Sequence, residues 1–593
     1  MSLILPLVVF ITVTGAYSEY VVPPTRLRPA PYPEWAHYHW VWLSNDRASQ
    51  ASMTQYAQQY LDHGIKVGAV DIDSGWSTGF NNFIFDAEKY PNATTMVDFF
   101  HSKDIKIILW ATSMIDTDST NYDEANSKGY LIRDVLGKEA VFSWWHGKGG
   151  LLDYTNPDAV DWWHHQMDKA LVYGIDGWKC DGTDPYILEL ILPLGKRGIV
   201  TRKQYSDAYY GDFFNYTRKQ RGNETLIMSR PADGFGPIFL DFSPHYVMYS
   251  GWVGDDDPTF DGLESALKSY LQSAWANFAN FGSDIGGYRS GSGSLGRTKE
   301  LFIRWAQLGA FSPLMENGGN MEHRPWKFDT TNQTLDIYRK FVDVHYQLVP
   351  YLLTTGSHAM ETGTSSITPL AMHENFIDKI IDDFKPPTYN YLLGENVLVA
   401  PIISNTSTVQ VTFPSGSSWI YWWNHTILYT GGSTYTLSIP LDEFSVFFKK
   451  GSFLPLRVTE DTPGLGEAGF AGHMRWLLHL PPFSNITSST IIRERNGSGI
   501  IASCWWKNPK CLMINVSAHS TLLSLLEVVG WVSEPHMVLG VSRSGSTALM
   551  TPVHSLEELS VGGTYLIRQI KTFYAILVSL DKLGLGHSIT MCA

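Results

Sequence analysis

Between about residues 35 and 320 the chain repeats one pattern: a short apolar run ending in polar residues, then a stretch of helical periodicity. Short, continuously apolar runs suit strands buried on both faces, and their alternation with helices marks a parallel sheet with crossover connections. The runs are 37–43, 67–73, 105–112, 175–182, 225–230, 246–255, 281–287 and 312–318, with helical patterns at 48–63, 92–103, 158–173, 262–278 and 297–308 between them. Eight such units predict a closed (β/α)8 barrel, a fold that carries its chemistry at the carboxyl ends of the strands. The polar residues fall at those ends: Asp71, Asp73, Asp181, Arg230, Asp255, Asp284, Glu316 and Asn317.

Helical patterning continues through 338–353 and fades. Beyond about residue 360 the chain becomes β-rich, with Gly, Pro, Ser and Asn punctuation, and 397–403, 409–413, 419–423, 434–439 and 444–448 read as strands. This predicts a β-sandwich closing at 451–456 and a second β-rich unit after it. The expected division is a leader over 1–18, the barrel over 19–360, a proximal sandwich over 361–456 and a distal domain over 457–593.

The first 18 residues form a short apolar run ending in small residues, the pattern of a secretory signal peptide, although a basic start is missing. Nine Asn-x-Ser/Thr sequons, at Asn92, Asn215, Asn223, Asn332, Asn405, Asn424, Asn485, Asn496 and Asn515, agree with passage through the secretory pathway to an extracellular or lysosomal site. Cys504 and Cys511 bracket a short loop and are expected to form a disulfide there, while Cys180 reads as a buried thiol. A net charge of −14 argues against nucleic acid as a partner, and no run after the leader is long and apolar enough to span a bilayer. Aromatic residues make up 13% of the chain, which suits sugar stacking and a large core equally.

Two segments carry the chemistry. Asp181 lies in Lys179-Cys180-Asp181 and Asp255 in Trp252-Val253-Gly254-Asp255, each at a strand end followed by a turn. A retaining glycosidase needs such a pair, one carboxylate as nucleophile and one carboxylic acid as proton donor. The alternative is that both cap helices. Asp256 and Asp257 read as turn residues, and Asp73 and Asp184 divide between site and turn.

Over residues 35–456 the chain resembles glycoside hydrolase family 31 through an ordered series of blocks. They are Val70–Asp73, Ile105–Trp110, Leu152–Pro157 with Trp162-Trp163, Lys179–Asp181, Ser229-Arg230, Trp252–Asp255, Gly282–Gly287, Arg304–Gln307, Phe311–Pro313 and Leu393–Pro401. The resemblance implies a cofactor-free, exo-acting, retaining α-glycosidase acting on an oligosaccharide or other glycoside. Asp181 would be the nucleophile and Asp255 the general acid/base, which must carry a proton at rest. Asp71, Lys179, Arg230 and Trp252 would bind substrate, and Asp284 would be structural. A catalytically impaired carbohydrate-binding protein and a transglycosylase are the alternatives on the same fold. Two departures stand out. The first strand starts near residue 37, so the family's large preceding β-sandwich is expected to be missing. After the eighth strand the family's Arg-x-His is replaced by Glu316-Asn317-Gly318, so the pocket is expected to be open on one side.

Overall fold

A computed structural model describes residues 33–44, 47–182, 193–231, 243–370 and 388–457, and beyond 457 the backbone of the strands. The leader, Asp184 and several sequons lie outside these residues.

The barrel strands are β1 (His39–Leu43), β2 (Ala69–Ile72), β3 (Lys106–Thr112), β4 (Gly177–Asp181), β5 (Leu226–Ser229), β6 (Ser250–Gly251) and β7 (Met315–Asn317). They pair in parallel in the spatial order β6-β5-β4-β3-β2-β1-β7. Residues 282–284 close the ring through the parallel bridges Trp252↔Gly282 and Asp284↔Glu316. The eight runs expected from the sequence therefore become one closed barrel. Further sheets follow it: an antiparallel six-stranded and an antiparallel two-stranded sheet up to Lys449, then a five-stranded sheet in which Met474–His479 and Leu523–Val529 pair in parallel, and an antiparallel six-stranded sheet. Phe453–Arg457 pairs with Met474–His479, so the segment expected to close the proximal sandwich instead begins the distal sheet.

Helices form where caps and periodicity agree. Helix α1 (Gln50–Asp62) starts at a reciprocal Ser49–Ser52 capping box, and α2 is Ala93–His101. Helix α3 (Pro157–Leu171) starts at Asn156 with proline at its first position, where the missing N–H costs nothing. Helices α4 (Arg202–Arg221), α5 (Phe260–Trp275) and α6 (Lys299–Ala310) open at Thr201, Thr259 and Thr298, each accepting a backbone N–H. The long α7 (Gln333–Thr362) ends at Gly363, whose φ of 68° favours glycine. No described helix is long and apolar enough to cross a membrane.

Strand β4 shows how the two-residue period sorts side chains. Trp178 faces outward, where its Nε1 donates to Thr217 Oγ1 of α4 at 2.9 Å, and buried Cys180 shares that face. Lys179 and Asp181 alternate inward. Asp176, just before β4, accepts from the Ile107 N–H at 3.0 Å and pairs with His101 at 2.8 Å and Lys106 at 3.4 Å, which locks β4 to the start of β3.

In the distal sheet, Cys511 lies opposite Asn508 and Cys504 opposite Ile514. That corrects the expected disulfide. A strand advances about 3.4 Å per residue, so this register sets the two cysteines three to four residues, roughly 10–13 Å, apart along the hairpin, beyond a disulfide's reach.

A Cβ added at Gly177 would lie 2.0 Å from the Leu226 carbonyl oxygen. The obstacle is backbone, so β4 and β5 must separate. Gly177→Ala should destabilise the barrel by about 3 kcal/mol, read as a lower denaturant midpoint; an unchanged midpoint would contradict this packing.

Candidate active site

The barrel brings all six sequence-predicted site residues together at the carboxyl end of the sheet. Asp181 ends β4 and is buried, and each of its carboxylate oxygens has a donor. Arg230 Nε donates to Oδ1 at 2.9 Å, and Trp110 Nε1, from β3, donates to Oδ2 at 3.3 Å. The Tyr209 hydroxyl holds the Asp181 carbonyl at 3.1 Å. Arg230 follows β5, and its Nη2 donates to Asp255 Oδ1 at 3.4 Å. One guanidinium therefore spans both carboxylates. Asp181 is the more enclosed, at 12% side-chain exposure against 30% for Asp255.

Trp252 is fully buried between two cations. Arg230 lies 4.7 Å and Lys179 Nζ 4.8 Å from its ring centroid. Such stacking adds an attraction of about 0.5–2 kcal/mol for each cation. Lys179 also lies 4.1 Å from the Trp42 centroid and pairs with Asp71 Oδ2 at 3.1 Å. Burial alone would lower the Lys179 pKa, but Asp71, Asp284, Glu316 and Asp73 outweigh it and hold the ammonium above its ordinary range. Lys179 thus pairs with Asp71 rather than with the nucleophile.

The carboxylates pay for this crowding. Burial raises Asp71 against the opposing pull of Lys179. It pushes Asp73 up to about 7, so Asp73 belongs to the charged cluster and is no surface turn residue. Asp284 is raised well above the carboxylate range by burial and by the neighbouring Glu316 carboxyl. Glu316 is pushed up to about 7 by burial, with Lys179 opposing. Cys180 is a buried thiol whose pKa burial raises, so it stays protonated and unreactive.

The expected opening beside Gly318 does not exist. A Cβ at Gly318 would lie 2.2 Å from Trp42 Cδ1, and the Trp42 ring stacks on Tyr288 with centroids 5.7 Å apart. Trp42 fills the space that the family's histidine side chain would take. Asn317 does not refill it either, because its side chain turns outward to the Tyr60 hydroxyl at 2.9 Å and the His323 carbonyl at 3.0 Å.

Trp42, Tyr288 and an aromatic hairpin escaped sequence reasoning. The turn between Phe142–Ser143 and Lys148–Leu151 carries Trp144, Trp145 and His146. Trp145 is 56% exposed, and its ring centroid lies 6.2 Å from that of Trp110. Trp144 and His146 hold it by donating to the two oxygens of Asp116 at 2.7 and 2.6 Å. The Trp-Trp-His run was the available signal, but nothing local said which barrel end it would reach. Beside Asp255, a cleft of about 260 Å³ is lined by Val253, Asp255, Asp256, Asp257, Asp261 and Arg289.

Glu316 supplies a test of these electrostatics. Its folded pKa of about 7 lies above the ordinary 4.5, so the folded state keeps a proton that the unfolded chain loses. Its contribution to stability is therefore fully present below pH 4.5 and declines as pH rises through 7. Glu316→Gln should raise Tm little at pH 5 and clearly at pH 8, a gain on the order of 3 kcal/mol. Equal effects at both pH values, by scanning calorimetry, would contradict it.

Comparison with known proteins agrees with this geometry. The profile of the glycosyl hydrolases family 31 TIM-barrel domain matches residues 29–355, and that of the family's C-terminal domain matches 363–454. Alpha-glucosidase 2 of Bacillus thermoamyloliquefaciens is 25% identical over 446 residues, covering 73% of this chain and 54% of the relative. An alpha-xylosidase of Emericella nidulans is 23% identical over 448 residues, covering 74% and 55%. The chain thus spans about half the length of these curated relatives. In fold it is similar to the Flavobacterium johnsoniae GH31 dextranase, with a TM-score of 0.78 at 20% identity, covering 95% of this chain and 71% of that one. With a family profile running through its whole barrel, the chain belongs to glycosyl hydrolase family 31.

Proposed function

We propose that the chain is an exo-acting, retaining α-glycoside hydrolase with Asp181 as nucleophile and Asp255 as general acid/base. The observation that carries this is the sharing of Arg230 by a buried and a half-exposed carboxylate, which holds the two in one cleft. Asp181 attacks the anomeric carbon while Asp255 gives its proton to the departing glycosidic oxygen, leaving a covalent glycosyl-enzyme. Asp255 then takes a proton from the water that attacks the same carbon, and Asp181 leaves. Arg230 and Trp110 orient the nucleophile, since each occupies a different carboxylate oxygen. Asp71, Lys179, Arg230 and Trp252 line the glycone side. The cleft beside Asp255 receives the leaving group, or a sugar acceptor if transfer competes with hydrolysis.

We further propose residence in the secretory pathway, extracellular or lysosomal. Asn92, Asn215, Asn223, Asn332, Asn405 and Asn424, the sequon asparagines whose exposure is described, are all exposed, as glycan attachment requires.

A panel of chromogenic α-glycosides tests the activity. Asp181→Ala should lower kcat/KM by about 10⁴-fold or more, and a mechanism-based label should map to Asp181; a folded variant near normal activity would end the assignment. Asp255→Ala should spare activated aryl glycosides more than disaccharides, because an acid matters most when the leaving oxygen is basic. Equal losses on both would remove Asp255 from the acid role. With the indole of Trp42 where a histidine would meet a hydroxyl, maltose should be a poorer substrate than an α-xyloside or an α-galactoside, by on the order of 1–3 kcal/mol. A wide lead for maltose in kcat/KM would refute this.

A further inference from the structure

Three tyrosines inside the barrel use their hydroxyls to hold the protein together. Tyr60 donates to the His323 carbonyl at 2.7 Å, Tyr209 to the Asp181 carbonyl at 3.1 Å and Tyr391 to the Phe311 carbonyl at 3.0 Å. A buried tyrosine usually finds such a partner. Tyr288 differs. It is partly exposed, and its hydroxyl makes no hydrogen bond to any described residue and is open to solvent.

The rest of Tyr288 is nevertheless fixed. Its ring stacks on Trp42 with centroids 5.7 Å apart and planes 17° from parallel. Its carbonyl accepts the Asn320 N–H at 2.8 Å, and the following residue, Arg289, donates its N–H to the Asp256 carbonyl at 3.2 Å. Backbone and ring are set while the hydroxyl stays uncommitted, as both donor and acceptor. A ligand meeting it there would lose little to the ordering of this side chain.

The phenol also lies among the reacting groups. Burial raises the Tyr288 pKa, and the Asp73 and Asp255 carboxyls raise it further, with Lys179 opposing, so the hydroxyl keeps its proton. Asp255 is the proposed acid/base, and Trp42 carries the Lys179 ammonium 4.1 Å from its ring centroid. Gly318 stands where the family's histidine would, and the Trp42 indole fills that volume. Tyr288 brings a polar atom to this wall from a different segment of the chain.

We propose that Tyr288 is a specificity-determining residue whose hydroxyl hydrogen-bonds one ring hydroxyl of the glycone, a contact that Gly318 and the Trp42 indole do not supply. A sugar lacking that hydroxyl leaves the phenol unpaired in the complex and is selected against. This inference rests on the glycosidase function proposed above.

The test compares Tyr288→Phe with the wild-type protein on whichever 4-nitrophenyl α-glycoside of glucose, xylose or galactose is cleaved best, and on its monodeoxy analogues, one for each ring hydroxyl. Taking the ratio of the two kcat/KM values cancels the intrinsic reactivity of each analogue. Tyr288→Phe should lower kcat/KM about tenfold on the parent glycoside. On one deoxy analogue the two proteins should agree within about twofold, because the partner of the phenol is already gone. The Tm should not fall, since the hydroxyl has no described partner to lose. A loss of equal size on every analogue, no loss on the parent glycoside, or a clear fall in Tm that shows the hydroxyl engaged within the protein would each overturn the proposal. Failure of the wild-type protein on every glycoside tested would instead overturn the hydrolase function on which the proposal rests.

Discussion

A single ammonium organises the inside of this barrel. Lys179 Nζ pairs with Asp71 and lies over the faces of Trp42 and Trp252, with Asp284 and Glu316 close by. A buried cation without partners would be too costly to keep, and the same holds for buried carboxylates without a cation. Each therefore justifies the burial of the others. Trp252, in turn, carries Arg230 on its ring, and Arg230 sets both Asp181 and Asp255. The line from Lys179 through Trp252 and Arg230 to the two carboxylates is continuous contact, so the geometry of the reacting pair depends on the charge beneath it.

The rest of the molecule keeps this arrangement dry and rigid. Outside the strands, Trp178 packs with Phe83, and Phe83 with Trp163, centroids 5.4 and 5.0 Å apart. This aromatic layer fixes the outward face of β4 and so the inward aim of Lys179 and Asp181. At the far side, Arg304 of α6 donates to the carbonyls of Ile439 and Glu443 at 3.2 and 3.1 Å, and Gln307 to that of Leu441 at 2.6 Å. These bonds clamp the first antiparallel unit onto the barrel through backbone acceptors. That gives an arginine and a glutamine, three residues apart on one helix face, a structural role remote from the reacting carboxylates.

Much of this was present in the linear order of residues. A barrel strand buried on both faces must be apolar throughout, so its polar residues collect at the end that opens to the cleft. Asp71, Asp181, Arg230 and Asp255 stood out on that basis, at the ends of runs of recognisable period, whereas Lys179 and Trp252, and the roles of all six, came from the resemblance to the family 31 blocks. Caps at Ser49, Asn156, Thr259 and Thr298 were equally local. Trp42 and Tyr288 were not legible as a wall, since they lie far apart in the chain and meet only when the barrel closes. The distal cysteines show the same limit: their spacing allowed a bridge, and strand register separated them.

Hydrophobic periodicity, caps and strand-end carboxylates are short-range properties, so the sequence by itself determined the barrel, the β-rich units after it and the candidate catalytic pair. Which charges face one another is a long-range property, and only the tertiary structure decided it. Asp284 and Glu316 become neighbours because two segments pair in parallel, and the gap at Gly318 disappears because the β1 tryptophan lies across it. Electrostatic energy depends on distance and burial, not on order along the chain. The shape and charge of the sugar pocket could therefore be read only after the ring had closed.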